Sequence, residues 1–191
     1  MFARLFLLTA LLVSMLVSPV FAAVSQEAKD FALKNGISIG DADDYLLEKS
    51  LDEGTANNPT LTDPHNPADM YLADFETKQM LPADLKCMQA QYQADQMNTQ
   101  LRKLKSLTPT QRADFLSQWE KASATFGTCA QMTHDALDFA SNASDAVMKK
   151  VSTSALHLII TDSSGTVQNM WYAQSYLLKA AHTIHTLPDG N

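Results

Sequence analysis

Leu107-Thr108-Pro109-Thr110-Gln111 is the stretch whose reading decides the fold. A threonine that can accept from the backbone, a proline at the first helical position and a glutamine at the third spell a helix start. Behind it, Phe115, Trp119, Ala122, Phe126, Cys129, Thr133, Ala136 or Leu137, and Ala140 recur at alternating steps of four and three. That period is the seam of one helix against another. Ahead of it, Pro82 opens a long helix to about Ser106, with Leu85, Met88, Tyr92, Met97, Leu101 and Leu104 on its apolar side. Two such helices joined by a turn at Leu107-Thr108 make an antiparallel αα-hairpin.

The two cysteines fit this hairpin. Cys87 lies as far before Thr108 as Cys129 lies after it. At 1.5 Å per residue both sit about 30 Å from the turn, side by side. Their wide spacing excludes a CxxC redox motif and a haem-attachment site. A disulfide between them would lock the open end of the hairpin. Gly127 is the weak point of this register, since a helix break there would remove the match.

The redox compartment is read from the first 22 residues. Arg4 is the only charge before Glu27, and the run from Leu5 to Val17 is apolar save for two hydroxyl residues. Pro19 then breaks any helix, and Val20-Phe21-Ala22 puts small residues where a signal peptidase reads. The expectation is a cleaved signal peptide, 1–22, and a periplasmic or secreted mature chain in which paired cysteines oxidise. The competing reading is a retained anchor, because the uncharged run is long enough to span a bilayer. No later stretch reaches that length, so no stable membrane insertion is expected after cleavage.

The formal net charge is −7, and losing Arg4 makes it −8. The acidic residues crowd the front. Residues 23–95 carry 14 acidic and 5 basic side chains, whereas residues 96–191 carry 7 and 8. Nucleic acid and anionic membrane surfaces need a basic face, so neither is expected as a partner.

Glycine and proline number only 6 and 7, and apolar residues recur at three and four, so helix is the default. Ser25 can cap a helix over 26–34 that ends at Asn35-Gly36. Asp41 can cap another over 42–52. A polar loop, 54–66, follows. Asn66-Pro67-Ala68-Asp69 starts a short helix that stops before Leu81-Pro82. Beyond the hairpin, a helix over 145–160 is expected, then a turn at Asp162-Ser163-Ser164-Gly165, then a last helix over 166–186 and a loose tail, 187–191. The fold class is therefore all-α. Residues 23–191 form a single helical domain, an irregular bundle of about six or seven helices around a disulfide-locked αα-hairpin.

Chemistry is thinner. Trp171, Ser175, Leu178, His182 and His185 share one face of the last helix, a candidate interaction surface. His182 and His185, with His157 on the preceding helix, are the candidate metal ligands, although zinc needs a third or fourth ligand. Asp41, Asp43, Asp44 and Glu48 lack the central glycine of a calcium loop and read better as a helix start. Arg102, Lys103, Lys105 and Arg112 cluster at the hairpin turn, as helix-end cations or an anionic docking spot. His134, Asp135 and Glu120 could form an acid–base set. No GxSxG, SxxK, HExxH or P-loop occurs, no catalytic residue is assigned and no cofactor is implied.

Leu107 to Arg112 resembles the Leu-Thr-x-x-Gln motif of small periplasmic stress chaperones of the Spy/CpxP group. The resemblance covers six residues. That family carries the motif twice and this chain once, and a capping box produces the same letters, so the chain is not assigned to it. The expected function is a non-catalytic binding or interaction protein with a protein partner in the envelope or outside, chaperone-like or envelope-associated. Phe115 and Trp119 join its contact residues if exposed. Metal or small-ligand binding through the helix histidines is the alternative, and an unrecognised hydrolase the next.

Overall fold

Thr108 and Gln111 cap each other in the computed structural model. Gln111 N–H donates to Thr108 Oγ1 at 3.2 Å, and Thr108 N–H donates to Gln111 Oε1 at 3.0 Å. This local exchange accounts for the motif letters without any appeal to ancestry. The structure describes residues 25–56, 63–142, 149 and 153–190, with no side-chain description for 55–56 and 153–163. The expected leader, the middle of the 54–66 loop and the expected start of a helix at 145 lie outside the described residues.

The described helices are α1 (Gln26–Asn35), α2 (Ile39–Ala56), α3 (Pro67–Asp74), α4 (Leu81–Leu101), α5 (Pro109–Ser141) and α6 (Thr153–Thr186). A π-helical segment, Phe75–Met80, joins α3 to α4 without a break. The all-α class holds. Five uninterrupted helical runs replace the expected six or seven among the described residues.

Two expected breaks are absent, each for a physical reason. Pro82 lacks an N–H and its ring would strike a carbonyl one turn earlier. The π turn widens the backbone just before it, with Leu81 N–H reaching Glu76 O, so the helix passes through. At Asp162–Gly165 the helix also continues. Serine and glycine cost about 0.5–1 kcal/mol each in a helix relative to alanine. Stopping would instead expose four unpaired backbone groups at each of two new ends.

Smaller differences follow the same logic. Helix α2 begins earlier than expected because Ser38, not Asp41, supplies the cap: Asp41 N–H donates to Ser38 Oγ at 3.1 Å. It also runs through Gly54 to Ala56. Helix α1 starts at the expected Ser25 cap and ends at Gly36, whose φ of 64° is the left-handed conformation glycine adopts freely. Asn66 caps α3 as its letters predict. Helix α4 stops at Leu101, short of Ser106.

The seam on α5 is read correctly. Phe115, Ala122, Cys129, Thr133 and Ala136 are buried, with Trp119 and Phe126 packed beside them. Helices α4, α5 and α6 form the main core from Ala94, Met97, Leu101, Leu107, Phe115, Ala122, Leu177, Ala180 and Ile184. Helix α6 runs parallel to α4, since Asp84 meets Asn169 and Asn98 meets Tyr176. It runs antiparallel to α5, since Arg112 meets Ile184 and Trp119 meets Leu177. A second cluster joins α1 and α2 to α4 through Ala28, Ala32, Ile37, Ala42, Tyr45, Leu81 and Met88. A third seats Phe75 and Met80 on Ala136 and Phe139, with Tyr71 stacked on Phe139 at 4.7 Å.

Cys87 and Cys129 face each other with Cα atoms 4.9 Å apart, and their sulfurs are joined. Both are fully buried. Helix α5 passes straight through Gly127, so the register argument keeps its premise. Gly127 is exposed, and a Cβ added there meets nothing within 4 Å. Gly127→Ala should therefore stabilise the protein by about 0.5–1 kcal/mol through lost backbone freedom in the unfolded chain. A lower denaturant midpoint for this variant would mean that α5 does bend at that position in solution.

The tail is tied down rather than loose. Leu107 N–H donates to Pro188 O at 3.0 Å, and Gly190 N–H donates to Leu107 O at 2.8 Å. Gly190 lies so close to the hairpin turn that a Cβ would come within 2.9 Å of Ser106 Oγ. Arg112 completes the clasp, donating to Ile184 O, to Leu187 O at 2.8 Å and to Asp189 Oδ1 at 2.9 Å. One guanidinium thus satisfies carbonyls at the end of α6 and holds the segment beyond it.

Candidate functional site

The exposed face of α6 is the first candidate. Trp171 is 59% exposed, Leu178 64% and Val167 39%. Val167 belongs to the same outer side. His182 and His185 continue it and are also exposed, while Ser175, between Trp171 and Leu178, is half-buried. The opposite side of α6 explains why this face is presented rigidly. Ala173, Leu177, Ala180 and Ile184 are buried against α4 and α5. Three side chains from those helices also bond α6 carbonyls: Asn98 Nδ2 to Tyr176 O at 2.8 Å, Trp119 Nε1 to Leu177 O at 3.0 Å, and Arg112 to Ile184 O. Trp171 meets Tyr172 edge-on at 5.4 Å, and Tyr172 stacks on Tyr176 at 6.5 Å. An aromatic ladder therefore runs from the exposed face toward the core.

The other aromatic candidates go inward. Phe115 is in the core and Trp119 is packed against it with its indole N–H satisfied by Leu177. Neither can join Trp171 in one surface patch.

The histidines do not assemble. With α6 unbroken, His157 and His182 lie on one helix, about 37 Å apart along its axis at 1.5 Å per residue. The hairpin turn that would have brought them nearer is absent, so His157 cannot complete a set with His182 and His185. No group of three His, Cys, Asp or Glu residues able to hold a metal occurs among the described residues. His134 pairs with Asp138 at 3.3 Å and Asp135 at 4.0 Å on the exposed side of α5. Glu120 lies about 21 Å along the same helix, so the acid–base set is not formed.

The acidic front half acts on a tyrosine. Burial pushes the Tyr45 hydroxyl above its ordinary range, and the carboxylates of Asp84, Glu48 and Glu53 add to the effect. Tyr71, which donates to Phe139 O, is raised by burial. Both remain neutral phenols through the physiological range. Of the basic cluster, Arg112 is engaged within the chain as described, while Arg102, Lys103 and Lys105 stay exposed at the end of α4.

A second surface feature has no counterpart in the sequence reading. Two open grooves adjoin at Gly36 and Tyr92. One, of about 280 Å³, is walled by Ala32, Leu33, Ile37 and Ile39, with Lys29 at its edge. The other, of about 260 Å³, is walled by Gln93, Gln96 and Gln118, with Lys121 at its edge. Helices α1, α2, α4 and α5 each contribute one wall. No periodic pattern announces it, because its residues come from separate helices and from the turn at Gly36-Ile37.

Compared with known protein families, curated proteins and solved structures, the chain matches none. Fold and surface are thus what define its class: an all-α protein with a buried cysteine pair and an exposed aromatic helix face. No helix among the described residues is long and apolar enough to cross a membrane.

Proposed function

We propose that this chain is an exported, non-catalytic interaction protein that binds a protein partner through the outer face of α6. The observation that carries this reading is the exposure of Trp171 and Leu178 on a helix whose opposite side is fully anchored. Aromatic residues on a rigid support are the usual anchors of protein interfaces, because they bury much area at little entropic cost. His182 and His185 form the polar end of the contact. In this reading residues 1–22 direct export and are removed, and Cys87 and Cys129 oxidise to lock the α4–α5 hairpin.

The test places a photoreactive amino acid at position 171, at 178 and, as a control, at the exposed Glu120 of α5. Irradiation of the exported protein in its host is expected to give one discrete adduct from 171 and 178 and none from 120. Trp171→Ser should remove the adduct at 178 while changing stability by less than about 1 kcal/mol, as exposed positions do. Failure of both positions to crosslink, or the same adducts from 120, would end the proposal. The mass of the recovered chain reports its address: it should begin at Ala23 and be lighter by two hydrogens than the reduced form.

A further inference from the structure

We propose that the double groove across Gly36 and Tyr92 binds a short acidic peptide segment with an aliphatic side chain between its carboxylates. The site is separate from the α6 face, and no residue of α6 lines it.

Charge comes first. In a chain of net charge −7, the two grooves are lined by only two charged residues, and both are lysines: Lys29 in one groove and Lys121 in the other. An anionic ligand is the complement. The apolar half comes next. Ala32, Leu33, Ile37 and Ile39 form an aliphatic cup in which Lys29 and the Tyr92 hydroxyl are the polar groups among the lining side chains. Leu33 and Ile39 are exposed at its rim. This aliphatic wall suits a leucine or isoleucine side chain.

The polar half supplies the backbone chemistry. Gln93, Gln96 and Gln118 carry three primary amides. Each amide presents a donor and an acceptor in one plane, the complement of a peptide group. Gln96 and Gln118 are exposed and can turn their amides to a ligand, whereas Gln93 Oε1 is itself buried and has no hydrogen-bond partner among the described residues. Between the halves, Gly36 turns in the left-handed conformation, and nothing lies within 4 Å of where a side chain would stand. A ligand can therefore lie against bare backbone there. Tyr92 lines both grooves and joins them. A fatty acid would use the cup and one lysine but leave the three amides idle, which is why a peptide is the better match.

The test is an amide-NMR titration of the full exported chain with the peptide Ac-Glu-Leu-Leu-Glu-NH2. Saturable shifts are expected at Lys29, Gly36, Ile37, Tyr92, Gln93 and Lys121. Ac-Lys-Leu-Leu-Lys-NH2 should bind at least tenfold more weakly. The double variant Lys29→Glu/Lys121→Glu should lose at least tenfold in affinity while keeping its remaining spectrum. Both lysines are exposed, so the fold should tolerate it. Three results would each overturn the proposal: no saturation with the acidic peptide, equal binding of the lysine peptide, or shifts in this set with laurate alone. A Gln96→Ala variant that binds as tightly as the wild type would remove the role given to the amides, and with it the preference for a peptide.

Discussion

Replacing Cys87 with serine is expected to lower stability by about 4 kcal/mol, and replacing Cys129 as well should cost no more. The figure comes from the chain-entropy cost of closing a loop between residues 42 apart. The bond restricts the unfolded chain, so losing either sulfur loses the whole constraint. A domain of this size is stable by about 5–15 kcal/mol, so the loss would place many molecules near their unfolding threshold at elevated temperature. Guanidinium unfolding of the two single variants and the double variant checks this. Three equal losses are expected, and dithiothreitol should lower the wild type to the same level while leaving the double variant unmoved. Additive losses would mean that the cysteines contribute separately as packed side chains. Both are buried, and Cys87 Sγ lies 3.7 Å from Thr133 Oγ1. A small packing term therefore accompanies the main effect.

The second large effect is expected at Asn98. This residue is 2% exposed, and its Nδ2 donates to Ala94 O at 3.0 Å and Tyr176 O at 2.8 Å. One donated hydrogen stays within α4, at Ala94 O, and the other ties α4 to α6 at Tyr176 O. Asn98→Asp keeps the shape and removes both donors, setting a carboxylate against two carbonyl oxygens. An uncompensated buried charge of this kind costs about 3–5 kcal/mol. The sign of the pH dependence follows from the same contact. Burial beside carbonyls raises the new carboxyl above the ordinary aspartate value of about 3.9, because only the protonated form can donate. Between those two values the unfolded chain has released its proton and the folded chain still holds it. Stability relative to the wild type therefore falls as pH rises through this window and is best preserved below it. Unfolding midpoints at pH 7 and about pH 4.5 measure this. A variant as stable as the wild type at pH 7, or one relatively weaker at the lower pH, would show that Asn98 is not buried between the two helices.

These two sites show different degrees of legibility. The cysteine register could be counted from the sequence, because both helices are regular and the turn between them is marked by its own letters. Asn98 could not be singled out. Mid-helix asparagine is ordinary, and only the arrival of α6 gives its amide a second acceptor. The outer face of α6 lies between these cases. Its stripe is visible in the spacing of Trp171, Leu178, His182 and His185, but spacing alone cannot say which of two tryptophans is covered. Trp119 is covered because α6 lies across it and offers the Leu177 carbonyl. Trp171 is bare because no described helix lies on its side.

The sequence by itself determined that the chain is helical, where α1, α3 and α5 begin, and that Cys87 and Cys129 stand level on a hairpin. Those outcomes depend on groups within a turn or two of each other: a capping oxygen, a proline at the first position, a seven-residue repeat. The tertiary structure decided the rest. It carried the chain helically through Pro82 and through Asp162–Gly165, kept His157 far from His182, and pinned the tail by Arg112 and Leu107. It also placed Lys29 and Lys121 in two grooves that adjoin at Gly36 and Tyr92. The pinned tail and the grooves rest on contacts between residues tens of positions apart, which no local propensity encodes. The helical passages through Pro82 and Asp162–Gly165 rest on a widened turn and on the cost of leaving helix ends unpaired, which outweigh propensities of less than about 1 kcal/mol per residue.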